Sequence, residues 1–473
     1  MKVNLSATGT WKMDNSDKEY YGDLYLNKDA GGIILYIRIP NNGPIGSYLE
    51  LPLNIPFIKG STMNGAKITL LDCVRIKTES RIGSEDIFGY QANYLLDSVS
   101  FESIDDVRFS KMKISIPGII EWGNISNYSM PKYDGKSDAL IELDITEPVE
   151  IYSNQDYSLS YFLAHSYPPF DLVQEEIILK QTPYLIIESG SLQTLEWFMD
   201  KAKQMKRLIE IAMAEPFGFD KMTVESPEIY YEFDDGKRIN RIIEVIHAYK
   251  DNNSKKDHNH NRLKHDFLFR LNELRNANFS KWQEISSVME PIIELYIDSI
   301  YNEKLSISRH FLNMVQALET YHSRRICNSL PEFKKRVEEL ISIRPKDFRG
   351  EDRKYLLEGS YKHVTLRSRL ADLLTADYTF IFYTGDIHRL EFPKVIADTR
   401  NYYTHYDKKL EDRALKDEDL IDSFHILRNI LEFYLLKEFG FDEEFIHERI
   451  RERIKPIITS KSIKKADQRN NRT

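Results

Sequence analysis

The period of the hydrophobic pattern changes part-way along the chain, and that change limits the fold more than any single motif. Through the first ~190 residues, short runs alternate apolar with polar positions, and Gly, Asn, Asp and Pro turns such as Asp29-Ala30-Gly31-Gly32 and Asn41-Asn42-Gly43-Pro44 cut them apart. Alternation of period two is the signature of half-buried strands. From Lys281 onward the apolar residues recur every three to four positions, as on one stripe of a helix. A chain built this way is α+β, with a sandwich-like or barrel-like β domain first and a helical bundle second.

Strands are expected over 21–26, 33–39, 66–73, 90–96, 111–116, 140–143, 149–152, 159–163, 176–180 and 184–189, then a helix over about 192–213 stopped by Pro216 and Gly218. Further strands are expected through 222–233 and 242–248. Residues 250–265, KDNNSKKDHNHNRLKH, are polar and aperiodic and read as an exposed loop. His258 and His260 there lack a cysteine partner and make a weak metal signal. Helices are expected over 281–301, 307–327, 331–342, 351–357, 364–374, 393–406 and 417–439, the last closed by Gly440 as a C′ glycine. The domains are therefore 1–275 and 281–455. A basic tail over 456–473 follows, read as a solubilising end or as an arm for RNA phosphates.

Composition narrows the class. Of 473 residues, 41% are hydrophobic and 12% aromatic, enough for real cores, while a net charge of −9 excludes a general nucleic-acid coat and leaves room for a local basic site. Two cysteines, Cys73 and Cys327, exclude a disulfide framework and fit a reducing compartment. No run of ~18 apolar residues marks a membrane span, and the N-terminus lacks the apolar core of a signal peptide, so a cytoplasmic location is expected. Neither a metal constellation nor a cofactor motif stands out.

The chemistry concentrates in Asp398-Thr399-Arg400-Asn401-Tyr402-Tyr403-Thr404-His405. Arginine presents a permanent fork of donors that matches a phosphate, and histidine passes protons near neutral pH. RNA supplies its own nucleophile, the 2′-OH, so cutting it needs little more than such a pair. About two Arg-x4–6-His matches are expected by chance from this composition, and two occur, so context decides. Arg241 and His247 sit in an apolar run that reads as a buried element. Arg400 and His405 sit on a polar face beside Asn401. On an ideal helix Arg400 and His405 stand about 140° apart, whereas Asn401 and His405 share a face. Asn401 is read as supporting His405 or the phosphate, and a cleft between two helices suits the pair better than an isolated surface.

Glu319 is an acid inside the apolar stretch VQALETY, so it needs a partner. It either orients Arg400 or His405, or forms a structural salt bridge with Arg324, Arg325 or another helix; both readings stay open. His322, one turn on, reads as a helix-surface histidine. Tyr402 and Tyr403 are candidates for stacking on bases, with packing the plainer role for Tyr403.

The helical part resembles HEPN domains, bundles whose active members carry Arg-x4–6-His, often with a polar residue after the Arg, here Asn401. The whole chain resembles the ApeA family of bacterial anti-phage proteins. The features that carry the likeness are Gly9-Thr10-Trp11, Gly60 and Gly65 before Thr69-Leu70-Leu71-Asp72-Cys73, Trp122, Gln181–Leu185, and the helix His310–Arg325, in that order. The resemblance implies a metal-independent endoribonuclease that acts in abortive infection, with tRNA among the substrates of related HEPN families. It further implies a site formed where two HEPN domains pack as a homo-oligomer, a sensing or regulatory N-terminal domain, and a phage protein as trigger. Arg400 and His405 would be catalytic, with Asn401 and Glu319 as supporting members. The competing readings are a non-catalytic HEPN-type dimerisation protein and, last, a ligand- or glycan-binding β-domain enzyme, for which the N-terminal half shows neither paired carboxylates nor a nucleophile elbow.

Overall fold

The computed structural model describes residues 4–14, 16, 18–27, 32–40, 51–80, 85–133, 139–168, 173, 175–248, 267–302, 304–326, 331–343, 346, 350–360, 364–374 and 390–455. The loop over 250–265, with His258 and His260, the tail over 456–473 and Cys327 lie outside these residues. The chain divides into two compact units: Met1–Arg207 with Phe217–His260, and Leu208–Pro216 with Asn261–Thr473. Among the described residues, no helix is long and apolar enough to cross a membrane.

In the first unit, β1 (Asn4–Met13), β2 (Glu19–Asn27), β3 (Gly32–Pro40), β4 (Asn54–Thr62), β5 (Lys67–Ser80) and β6 (Glu85–Asp97) close a six-stranded antiparallel barrel in the order β1-β2-β3-β6-β5-β4 and back to β1. Alternate residues point inward, and along β3 these are Ile33, Leu35, Ile37 and Ile39. Closure removes the open edges that would invite aggregation. β4 escapes sequence reasoning because Pro56 and Gly60 interrupt its pattern. Pro56 lies at a gap in the β4–β5 ladder, which pairs Ile55 with Cys73 and Phe57 with Leu71 and skips Pro56, while pairing with β1 begins only at Ile58. Gly60 is required by the fully buried Trp11 indole, because a Cβ on Gly60 would stand 2.2 Å from that ring. The same indole donates to the Gly22 carbonyl at 3.1 Å.

β6 carries the sheet beyond the barrel. One edge of its first two-thirds pairs with β3, and on that same edge Tyr94–Leu96 pair with β16 (Ile243–His247). From β16 the sheet runs through β13 (Met222–Glu225), β7 (Phe109–Ser115), β12 (Gln181–Gln193) and β11 (Tyr157–His165) to β10 (Val149–Ser153). Short additions are α1 (Ile120–Gly123), a hairpin of β8 (Tyr128–Tyr133) and β9 (Ala139–Leu143), and a hairpin of β14 (Tyr230–Glu232) and β15 (Arg238–Asn240). α2 (Leu195–Met213) follows β12. The strand expected over 176–180 does not form. Its residues lie before the β11–β12 ladder, which begins at Gln181, and Ile177 and Ile178 are exposed.

The second unit is helical: α3 (Asn276–Tyr301), α4 (Ile307–Tyr321) followed by a π-helical turn over His322–Ile326, α5 (Pro331–Ile343), α6 (Gly350–Ser360), α7 (Leu366–Leu373), α8 (Phe392–His405), α9 (Asp417–Glu438) and α10 (443–455). α10 is legible in hindsight from Ile446, Ile450 and Ile454, all buried at a spacing of four. α9 is apolar almost all round and forms the core helix, its stretch from Ile426 to Leu436 buried except at Arg428. It ends in a Schellman motif: the Gly440 N–H reaches the Lys437 carbonyl at 3.0 Å, the Phe441 N–H reaches that of Leu436 at 3.1 Å, and Gly440 takes φ +79°.

Within this apolar frame stands one fully buried carboxylate. Glu432 accepts from the Tyr296 hydroxyl at 2.7 Å, from Arg428 Nε at 2.7 Å and from Arg453 Nη2 at 3.0 Å, tying α3, α9 and α10 together. Desolvation alone would raise its pKa, but the Arg428 and Arg453 guanidiniums and the Tyr296 hydroxyl outweigh burial and hold it below the ordinary value.

Replacing Glu432 by Gln leaves two guanidiniums without their counter-charge and is expected to cost roughly 3–5 kcal/mol in thermal or urea denaturation. Because the folded pKa lies below the unfolded one, this contribution is complete above pH ~4.3 and drains away as pH falls through the folded value. The gap in Tm between wild type and Glu432→Gln should therefore close at acid pH and be widest near neutrality. In the barrel, Gly60→Ala is expected to cost ~1–3 kcal/mol or more of unfolding free energy through overpacking against Trp11, seen as a lower urea midpoint by tryptophan fluorescence.

Candidate active site

α8 starts with Pro393 in its first turn and stops at Tyr406, a left-handed C-cap with φ +51° whose N–H reaches the Tyr402 carbonyl at 2.6 Å. Phe392, Ile396 and Thr399 form its buried face, and the Thr399 hydroxyl accepts the Leu415 N–H at 3.1 Å. The Tyr403 hydroxyl donates to the Leu415 carbonyl at 3.1 Å. Both bonds hold the helix against the segment that leads into α9. Tyr403 is thereby a packing residue, and burial followed by the neighbouring Tyr402 raises its pKa. Tyr402 meets the Tyr403 and Tyr406 rings edge-on.

Arg400 is carried on the face left over, toward α4. Its Nη1 donates to Asn401 Oδ1 at 3.1 Å, and its Nη2 lies 3.7 Å from Glu319 Oε2, with about a third of each ion-paired side chain exposed. Thr404, one turn on, returns its hydroxyl to the Arg400 carbonyl at 2.7 Å. The alternative partners of Glu319 are engaged elsewhere. Arg325 makes a forked pair with Glu438 at 3.0 and 2.6 Å, which also accepts from the Tyr321 hydroxyl at 2.9 Å, and Arg324 Nη1 donates to the Val288 carbonyl at 2.9 Å. Glu319 thus faces Arg400. The polar side of α4, with α7 and α8, lines an open cleft of about 560 Å³ whose charged lining is Arg309, Glu319, Arg369 and Arg400. Three guanidiniums against one carboxylate make the cleft attractive to an anion.

The structure brings Arg400, Asn401 and Glu319 together. His405 is not part of the cleft lining. It is the last residue of α8, exposed, and among the described residues its ring has no hydrogen-bond or ion-pair partner. Asn401 serves as acceptor for Arg400. The other Arg…His match falls in the first unit. Arg241 Nη2 donates to the Ser98 carbonyl at 2.6 Å, and His247 lies on β16 with its ring 4.9 Å from that of Tyr94.

His322 corrects the surface reading: it is fully buried. It follows Leu318 at i+4 and Val315 at i+7, so it continues the apolar stripe of α4 into the core. That spacing was the available signal. Its Nε2 meets Asp372 Oδ2 at 2.9 Å and its Nδ1 meets Arg369 Nη1 at 3.2 Å. Sequence reasoning passed over Arg369 and Arg309 altogether.

A family model for ApeA N-terminal domain 1 matches residues 6–282, more than half of the chain. The chain belongs to the ApeA family. A second model, for the Apea-like HEPN domain, matches residues 312–445, a span that holds Glu319, Arg369, Arg400, Asn401 and His405. No curated protein and no solved structure matches the chain. ApeA membership with a HEPN domain supports a nuclease-type role in defence against phage. In this ApeA chain, nearly all of the barrel-containing unit falls within the first matched span and the cleft-bearing helices α7 and α8 within the second, as does most of α4.

Since Glu319 and Arg400 are both substantially exposed, their pair contributes little to folding. Glu319→Gln is expected to change stability by less than ~1 kcal/mol, leaving Tm nearly where it is in wild type, in contrast to Glu432→Gln. Thermal denaturation of the two variants side by side checks this.

Proposed function

We propose that this chain is an endoribonuclease that needs no metal ion and cleaves RNA, with tRNA among its candidate substrates, as an abortive response to phage. The observation that carries the reading is the placement of Arg400 and His405 on one helix: the guanidinium held at a cationic cleft by Glu319 and Asn401, the imidazole at the exposed helix end and, among the described residues, without a polar partner. In this mechanism His405 takes the 2′-OH proton or delivers one to the 5′-leaving oxygen. Arg400 offsets the charge that builds on the pentacoordinate phosphate, and Glu319 and Asn401 aim it. The products are a 2′,3′-cyclic phosphate and a 5′-OH.

One imidazole cannot be base and acid at once, and His405 stands apart from the cleft that holds Arg400. A homodimer through the helical domain supplies a second His405 and answers both points. The N-terminal unit then acts as the regulator that responds to a phage protein.

Wild type, Arg400→Ala and His405→Ala, each incubated with total RNA in EDTA, test the reading. Wild type, activated if necessary by phage infection of cells expressing it, should leave cyclic-phosphate ends. His405→Ala should lose roughly 10²–10⁴-fold in rate, with Arg400→Ala losing activity as well. Intact RNA in every arm, in vitro and in infected cells, returns the helical unit to a non-catalytic dimerisation role. Activity abolished by EDTA removes the mechanism.

A further inference from the structure

α4 has two faces with different tasks. Phe311, Met314, Val315, Leu318, Tyr321 and His322 are buried. The opposite face carries Arg309, Asn313, Gln316, Glu319, Thr320 and Ser323, and every one of these lines the cleft. From Arg309 to Ser323 this stripe is roughly 21 Å long at the helical rise, far longer than one phosphate. Arg309 stands at one end of the stripe, and Arg400 is bound to Glu319 near the other.

Between the helices lies an arginine whose position is unusually well determined. Arg369 on α7 is 6% exposed yet lines the cleft. Its Nε donates to the Val364 carbonyl at 3.2 Å and its Nη1 meets His322 Nδ1 at 3.2 Å. A guanidinium only donates, so Nδ1 is the acceptor and Nε2 is the donor to Asp372 Oδ2 at 2.9 Å. The relay Asp372–His322–Arg369 runs from a half-exposed carboxylate through the fully buried ring to the cleft wall. The π-helical turn that begins at His322 is a feature that recurs at functional sites. Such a relay fixes the plane of a guanidinium, and a fixed fork loses less entropy when it grips a phosphate.

The geometry points to a backbone-tracking subsite. Arg369, positioned by His322 and Asp372, and the exposed Arg309 bind phosphates of the RNA flanking the one at Arg400, and hold the strand along α4. Arg369 and Arg309 are binding residues here and His322 is a positioning residue. This rests on the ribonuclease reading and extends it to how the substrate is held.

The test is binding of a fluorescein-labelled oligouridylate to the full chain carrying His405→Ala, titrated over a range of NaCl concentrations. In this parent, log Kobs should fall linearly with log salt. Arg369→Gln and Arg309→Gln should each make the slope shallower by about 0.7, the loss of one single-strand phosphate contact. His322→Gln should weaken binding when Arg369 is present and add little in the Arg369→Gln background, a non-additivity that general destabilisation does not produce. Should Arg369→Gln fail to fold, Arg309→Gln decides alone, since its side chain is at the surface. A parent that binds with a steep slope unchanged in both arginine variants overturns the subsite and leaves the ribonuclease reading standing. A parent with no salt-dependent binding, and no RNA cleavage by wild type, overturns both.

Discussion

Glu432 sits at 0% exposure among apolar side chains, and the helical unit is arranged around meeting its demand for donors. A carboxylate in that place is tolerable only with several hydrogen bonds at once. Tyr296 comes from α3, Arg428 from α9 itself and Arg453 from α10, so one group sets the mutual placement of three helices. The apolar residues around it supply most of the stabilisation, yet they would tolerate small slips along the helix axes. A network of charge-assisted bonds at 2.7–3.1 Å tolerates far less.

That frame determines what α4 can do. Its apolar stripe is committed to α3 and α9, so its polar stripe has to face outward, and α7 and α8 flank that side. A cleft with three arginines and one glutamate results. Glu319 is held there by electrostatics of modest strength, because the pair is open to solvent. The proposed reading asks Arg400 to turn to a phosphate, which a weak pair permits, whereas the sealed Glu432 network holds its partners in place. Burial alone sets the difference in strength between these two carboxylates, on two helices of one bundle.

Much of this was legible residue by residue. Alternation marked most barrel strands, and a 3.6 period marked α3 through α9 within a few residues. Gly440 announced the end of α9 because only a local backbone conformation was at stake. What stayed hidden depended on distant partners. β4 carries Pro56 and Gly60, which argue against a strand until β5 and the Trp11 ring are in place. Glu432 reads like any charged residue after an apolar run, though the reasoning that singled out Glu319 applied to it with more force. His322 lay on the apolar stripe by spacing, but its partners come from α7, about fifty positions later, and nothing in Arg369 or Asp372 advertises them. Arg400, Asn401 and Glu319 were singled out from residue chemistry, and the cleft that gathers them comes from packing.

By itself the sequence determined the order and kind of most elements, the change from β to helical architecture, and a short list of candidate groups for chemistry on a phosphate. Those follow from periodicity, turn propensity and side-chain pKa, which act over a few residues. Only the tertiary structure decided that the first strands close into a barrel, that His322 is sealed behind Arg369, and that Arg400 leans on Glu319 while His405 lies exposed at the helix end, outside the cleft lining. Each of those is settled by where a distant segment lands, because a buried donor or acceptor takes whichever partner the packing brings within 3 Å, and sequence separation has no bearing on that distance.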